Sequence, residues 1–332
     1  MAKLSSPCSQ RATRRVTLIT SLALSASLIL SGCGGAEGTG DVDALDVVGF
    51  EQSDPQQAPD VTVDGAIEAD EVSTRVLEQG EGETLDDEDL ALIHTAVVDP
   101  TNSEVTQESF TGNGEALYID PRLAEEDPTL HEALTTNPIG SLMAYYVPAN
   151  TYGNGTPDQL LVFRISEELP THADGEPVDE SELDPALPTV TENEETGEPT
   201  IETPEGDPPE DLEVEVLKEG EGEQVDSNSF VTVQYRGIKW SDGEEFDSSW
   251  ANGSPAQFDI NGLIEGWKEG LDGQQVGSRV LISVPPEQGY GDSEGHELQE
   301  ETLVFVVDIL HKVDMTPPEG ADQPAPSDEA SE

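Results

Sequence analysis

The chain has 332 residues, room for two domains of about 150 residues with tails to spare. Its 13 basic and 72 acidic side chains give a formal charge of −59. That charge excludes ordinary nucleic-acid binding, which needs a basic footprint to displace counterions from phosphate, and it excludes docking on anionic lipid through protein charge.

In chain order, residues 1–33 hold no Asp or Glu but carry Lys3, Arg11, Arg14 and Arg15 ahead of an apolar run over 16–30. A basic start, a short apolar stretch and small residues before a cut make a secretory signal. The run is short of the roughly 20 apolar residues that a membrane span requires. Leu30-Ser31-Gly32-Cys33 resembles a bacterial lipobox. The resemblance implies a diacylglycerol on the Cys33 thiol and a protein anchored at the extracytoplasmic face of the bacterial cell membrane, where two acyl chains hold stably. Arg14-Arg15 fits twin-arginine export or an ordinary basic leader. Cys8 and Cys33 are the only cysteines, so a disulfide framework and a cysteine-ligated zinc site are excluded.

Hydrophobic residues make up only 34% of the chain, and the shortfall is concentrated. Residues 34–70 are rich in Gly, Asp, Glu, Gln and Pro and are expected to form a disordered acidic tether. Residues 170–210 read as an extended acidic Pro-rich linker, since Pro stiffens the chain and like charges repel. Residues 315–332 read as a disordered tail. Two blocks remain, 71–169 and 211–314, each of ordinary domain size.

The blocks echo each other. Val76-Leu77-Glu78-Gln79-Gly80-Glu81-Gly82-Glu83 parallels Val216-Leu217-Lys218-Glu219-Gly220-Glu221-Gly222-Glu223. Further on, Val147-Pro148 and Tyr152-Gly153 parallel Val284-Pro285 and Tyr290-Gly291, and Leu161-Val162-Phe163 parallels Leu303-Val304-Phe305. Three matches in register predict two copies of one fold. In the second block, strands are predicted at 213–217, 230–235, 279–284 and 303–310, with a hairpin turn at Ser241-Asp242-Gly243. One short helix is predicted over 263–271, with Ile264, Trp267 and Leu271 on one face. The class is therefore α+β, an antiparallel sheet with a short α-helix.

No conventional catalytic constellation is present: no exported Cys nucleophile beyond the lipobox, no metal-binding His pair, no phosphate loop, no calcium loop. No metal and no cofactor is expected. Any carboxylate pair is a weak signal among 72. The second block, however, concentrates aromatics at Tyr235, Trp240, Phe246, Trp250, Phe258, Trp267, Tyr290 and Phe305. These are either its core or the walls of an apolar pocket of the kind that takes a small ligand or a peptide.

Val231-Thr-Val-Gln-Tyr235-Arg-Gly237, Gly243-Glu-Glu-Phe246-Asp247-Ser248-Ser249, Leu263-Ile264-Glu-Gly266-Trp267-Lys-Glu-Gly270 and Tyr290-Gly291…Thr302-Leu-Val-Phe305 together resemble FKBP-type peptidyl-prolyl cis–trans isomerases over 211–313. The resemblance implies a curved antiparallel sheet wrapped around a short helix, with a prolyl pocket between them. Trp267 would be the pocket floor, Tyr235, Phe246 and Phe305 its walls, and Leu263 and Ile264 its rim. Asp247 would be a buried carboxylate, Tyr290 would give a hydroxyl to the bound carbonyl, and His296 would sit near the mouth. The implied partners are proline-containing polypeptide clients, and the membrane through Cys33. Ala256 stands where the family often has an aromatic, and the loop after Tyr290 is short, with Leu298 the candidate for its apolar tip. Affinity for macrolide inhibitors is therefore left open. A non-catalytic binding or chaperone module and a structural envelope spacer remain as alternatives.

The first block keeps the frame and loses these residues. Phe110 aligns with Phe246, Thr111 with Asp247 and His94 with the neighbourhood of Tyr235. Ala133 or Leu134 would take the floor, while Tyr152 and Phe163 remain. It is expected to be a degenerate copy without activity.

Overall fold

The computed structural model describes residues 38–153 and 155–314, all within one compact unit. The signal segment, Cys33 and the tail from 315 onward lie outside the described residues. No helix among the described residues is long and apolar enough to cross a membrane.

A 3-10 turn at Val42–Val47 opens the chain, followed by β1 (Val48–Glu51) and β2 (Asp60–Val63). Then come β3 (Ser73–Glu78), β4 (Leu90–Val98), β5 (Val105–Glu108), β6 (Glu115–Tyr118), α1 (Pro121–Glu126), α2 (Pro128–Thr136), β7 (Leu142–Val147) and β8 (Gln159–Leu169). The second half holds β9 (Glu176–Pro177), β10 (Thr189–Glu192), β11 (Pro199–Glu202), β12 (Glu213–Glu219), β13 (Ser229–Lys239), β14 (Glu245–Ser248), α3 (Ser249–Asn252), β15 (Ala256–Asp259), α4 (Glu265–Leu271), β16 (Arg279–Val284) and β17 (Leu303–Asp314). The α+β class holds: all strand pairs are antiparallel and the helices are few and short.

The first sheet runs β3-β7-β8-β4-β5, with β6 also on β4. The second runs β12-β16-β17-β13-β14, with β15 also on β13 and β9 on the outer edge of β12. Their irregularities coincide. A bulge lies at Val76/Glu78 and at Val216/Lys218, at Leu92/Ile93 and at Thr232/Val233, and at Val97/Val98 and at Gly237/Ile238. Isolated bridges join Thr84 to Pro138 and Gln224 to Gln275. The Gly-Glu-Gly echo has a physical basis. Gly82 N donates to Ile139 O and Gly222 N to Val276 O, both at 3.0 Å, and a Cβ on either glycine would fall below 3.0 Å from that neighbour.

The segment expected to be a disordered tether and the one expected to be an extended linker each fold into a hairpin on a sheet instead. In 34–70, the β1–β2 hairpin and its leading turn bury Leu45, Val48, Val61 and Ala69 against Ala96, Leu142, Ala144 and Val162 on the back of the first sheet. In 170–210, the β10–β11 hairpin and its approach place Leu187, Val190 and Ile201 over Ile238, Trp240, Leu281, Val304 and Val306 on the back of the second. Average composition is low in apolar residues, but enough of those present reach the back of the adjacent sheet to hold each hairpin there. The scarce cations supply the clamps. Arg75 donates to Leu45 O and Val48 O, and Arg279 donates to Gly197 O (2.6 Å) and Glu192. Trp240 belongs to this back face, with its indole N–H on Gly206 O, and not to a pocket.

Candidate active site

Strand alternation on β13 turns Val231, Val233 and Tyr235 to one face, where all three are buried. The helix α4 presents Trp267 and Leu271 to the same core. It begins two residues later than the apolar pattern predicts, and Ile264 is its extended N-cap. Gly266 and Gly270 let α4 approach β16. A Cβ at Gly266 would sit 2.5 Å from Val284 Cγ1, and one at Gly270 would sit 2.7 Å from Ile282 Cδ1. The two glycines therefore set the depth of the indole.

Around Trp267 the rings meet edge to face: Phe305 at 5.2 Å, Tyr235 at 5.4 Å and Phe258 at 5.8 Å between centroids. Phe246 meets Phe305 in the same way at 5.5 Å. This is the arrangement that aromatic quadrupoles favour. The Tyr235 hydroxyl donates to Asp247 Oδ2 at 2.6 Å, and burial, with that carboxylate second, holds the phenol above its ordinary range and therefore neutral.

The structure brings together Tyr235, Phe246, Leu263, Ile264, Trp267, Tyr290 and Phe305 in one cluster. Asp247 is beside it but exposed, not buried as the resemblance implies, because β14 is the edge strand of the sheet. His296 is exposed and lies flat on Tyr290, with ring centroids 4.2 Å apart and planes 5° apart; its Nδ1 accepts from Leu298 N. Leu298, only a candidate from sequence, is buried in the cluster. Phe258 is missing from the predicted walls. Ala256 and Phe258 share one face of β15, so the small residue leaves room and the ring two positions on packs against Trp267. The alternation in Ala256-Gln257-Phe258 was the available signal.

The matching bulges correct the expected alignment of the first block. Tyr235 N donates to Ser249 Oγ (2.7 Å), and Thr95 N donates to Ser109 Oγ (2.8 Å). Thr95, not His94, thus corresponds to Tyr235. Thr106 and Gln107, not Phe110 and Thr111, correspond to Phe246 and Asp247. Leu161, not Phe163, corresponds to Phe305, since Val97 faces Leu161 as Gly237 faces Phe305. Counting back from the matching bridges, Leu130 takes the place of Trp267, rather than Ala133 or Leu134. Short echoes such as Leu-Val-Phe slip by two residues without changing face, which is why sequence alone misplaced them.

Comparison with known proteins decides the family. The probable FK506-binding protein of Corynebacterium glutamicum is 46% identical over 113 residues, 34% of this chain and 96% of that protein. The chain belongs to the FKBP-type peptidyl-prolyl cis-trans isomerase family. The family model of that description matches residues 221–310 of this isomerase. The FKBP-type isomerase FkpA of Escherichia coli is 37% identical over 100 residues, 30% of this chain and 37% of FkpA. Among solved structures, a putative FKBP12 isomerase from Mycobacterium tuberculosis is 40% identical, over 32% of this chain and 89% of that one, with a TM-score of 0.26. The second block therefore carries the isomerase, and the ring cluster around Trp267 lies within the matched segment.

Proposed function

We propose that this isomerase acts on proline-containing segments of exported polypeptides at the outer face of a bacterial cell membrane, held there by a diacylglycerol on Cys33. The observation that carries the site is the edge-to-face ring cluster on the buried indole of Trp267, with the exposed Asp247 and the half-buried Tyr290 at its margin.

Rotation about a peptide bond costs about 18–20 kcal/mol because resonance gives C–N partial double-bond character. The twisted amide loses that charge separation and is less polar than the planar ground state. An apolar surface of rings and aliphatic side chains therefore binds the twisted form better, and differential binding lowers the barrier without a nucleophile. Trp267 is the floor beneath the prolyl ring. Tyr235, Phe246, Phe258 and Phe305 wall it, and Leu263, Ile264 and Leu298 rim it. Tyr290 donates its hydroxyl to the substrate carbonyl, and Asp247, already bonded to Tyr235, fixes the wall and orients the chain. Macrolide binding at the same rings is part of this reading, supported by the name of the Corynebacterium glutamicum relative.

The first block is a second, degenerate copy of the fold, supported by the shared strand order and bulges. With Leu130, Leu161 and Thr95 in place of three rings, it spaces the isomerase from its anchor rather than turning over substrate. Prolyl-peptide exchange tests both parts. Full-length protein accelerates exchange, and Tyr290→Phe with Asp247→Val removes most of the acceleration. Residual full activity in that double variant would place catalysis in the first block and overturn the assignment. Cys33→Ser is expected to move the protein from the membrane fraction to the soluble one; retention on the membrane refutes the anchor.

A further inference from the structure

The isomerase sheet ends at β14, an edge strand of four residues that carries both Phe246 and Asp247. It pairs on one side only, and its register slips at Phe246, since Gly237 faces Asp247 while Ile238 faces Glu245. A short bulged edge is among the least constrained parts of a sheet. Here it is tied from outside the sheet. Arg236 Nε donates to Glu245 Oε2 (2.5 Å) on β14, Nη2 to Glu198 Oε1 (2.9 Å), and Nη1 to the Pro199 carbonyl. Glu198 and Pro199 belong to the β10–β11 hairpin on the back face. That hairpin is itself anchored by Arg279, which is buried against Asp308 through two bonds of 2.6 and 2.7 Å. One planar guanidinium thus joins hairpin, central strand and edge strand, a task suited to its fixed fork of donors.

We propose that the 189–202 hairpin is a working part of the isomerase: through Arg236, a positioning residue, it holds β14 so that Phe246 and Asp247 face the substrate in one geometry. The hairpin would otherwise be a cover for apolar surface, and Ile238, Trp240 and Val306 need such a cover whatever β14 does. The added element is the bridge to Glu245, which covers nothing.

The test compares full-length parent and variants in prolyl-peptide exchange, with thermal unfolding measured in parallel. Arg236→Ala is expected to lower kcat/KM about fivefold, mostly through a raised KM. Arg236→Lys recovers part of the loss, because an ammonium reaches one acceptor where the fork reaches three. Glu198→Gln, a change on the hairpin alone, moves KM in the same direction and less. Salt at about 1 M brings the parent toward Arg236→Ala and leaves that variant unchanged. If Arg236→Ala fails to fold, Glu198→Gln decides. Values of kcat/KM within about twofold of the parent in the variants that fold overturn the proposal, as does a loss that only follows the fall in melting temperature and is not recovered by Lys. Turnover by the parent keeps failure of this positioning role distinct from failure of the isomerase site.

Discussion

The two sheets follow one path and share three bulges, yet only one of them builds a ring-walled site. Where the second block has Tyr235, Trp267 and Phe305, the first has Thr95, Leu130 and Leu161 in corresponding places. The ladder and its bulges depend on backbone hydrogen bonds and on an apolar face, and aliphatic residues supply that face as well as rings do. A pocket makes a stricter demand. Rings locked edge to face keep a rigid surface that flexible aliphatic chains would fill by closing over it. The pair separates what the scaffold requires from what the chemistry requires.

The largest effect is expected where the blocks differ in charge. Arg279 and Asp308 form a buried pair in the second block, and Leu142 and Arg164 occupy the facing positions in the first. Arg279→Leu copies the first block's residue but strands Asp308, which has no solvent exposure and keeps only the Ala173 N–H. A stability loss of about 3–5 kcal/mol is expected in urea unfolding. A loss below about 1 kcal/mol would mean that Lys218, which already reaches Glu192 and Ala173 O, takes over the carboxylate.

Next is the floor. Trp267→Leu, again copying the first block, is expected to lower kcat/KM about 30-fold, or about 2 kcal/mol of transition-state binding, while the chain stays folded. Unchanged turnover would remove the indole from the mechanism and make the ring cluster only a core.

The smallest effect concerns the junction of the blocks, where His311 Nε2 donates to Gly114 O at 3.3 Å. Burial lowers the His311 pKa from the ordinary 6.5. The Gly114 carbonyl, Glu167 and Glu223 oppose the shift, and His94 adds to it. The folded chain holds this imidazole neutral while the unfolded chain takes up a proton as pH falls through about 6.5, so stability rises with pH across that window and is lost on acidification. Melting temperature against pH should slope downward from about pH 7 toward the lowered pKa, and His311→Asn should flatten that slope. A slope unchanged by the substitution would assign it to other groups.

Strand alternation in Val231–Tyr235 and the long apolar run at 303–310 made the second sheet legible, and the motif residues from Tyr235 to Phe305 made its ring cluster legible. What was not legible has a separate physical reason in each case. Residues 34–70 read as a disordered tether and 170–210 as an extended linker because composition averages over a window, whereas burial is decided residue by residue. Asp247 was expected to be buried because its motif names its neighbours but not its place on an edge strand. Phe258 joins the walls because it shares a face of β15 with Ala256, a pairing set by strand alternation and not by the motif itself.

By itself the sequence determined the antiparallel architecture, the second block as the isomerase and the ring types gathered around Trp267. These follow from local periodicity and from side-chain chemistry, which every residue carries with it. Only the tertiary structure decided that the acidic hairpins are clamped to the sheets, that Arg236 reaches from hairpin to edge strand, and which residue of the first block stands opposite each ring. Those facts depend on contacts between residues dozens of positions apart, and on bulges that shift register without leaving a mark in composition.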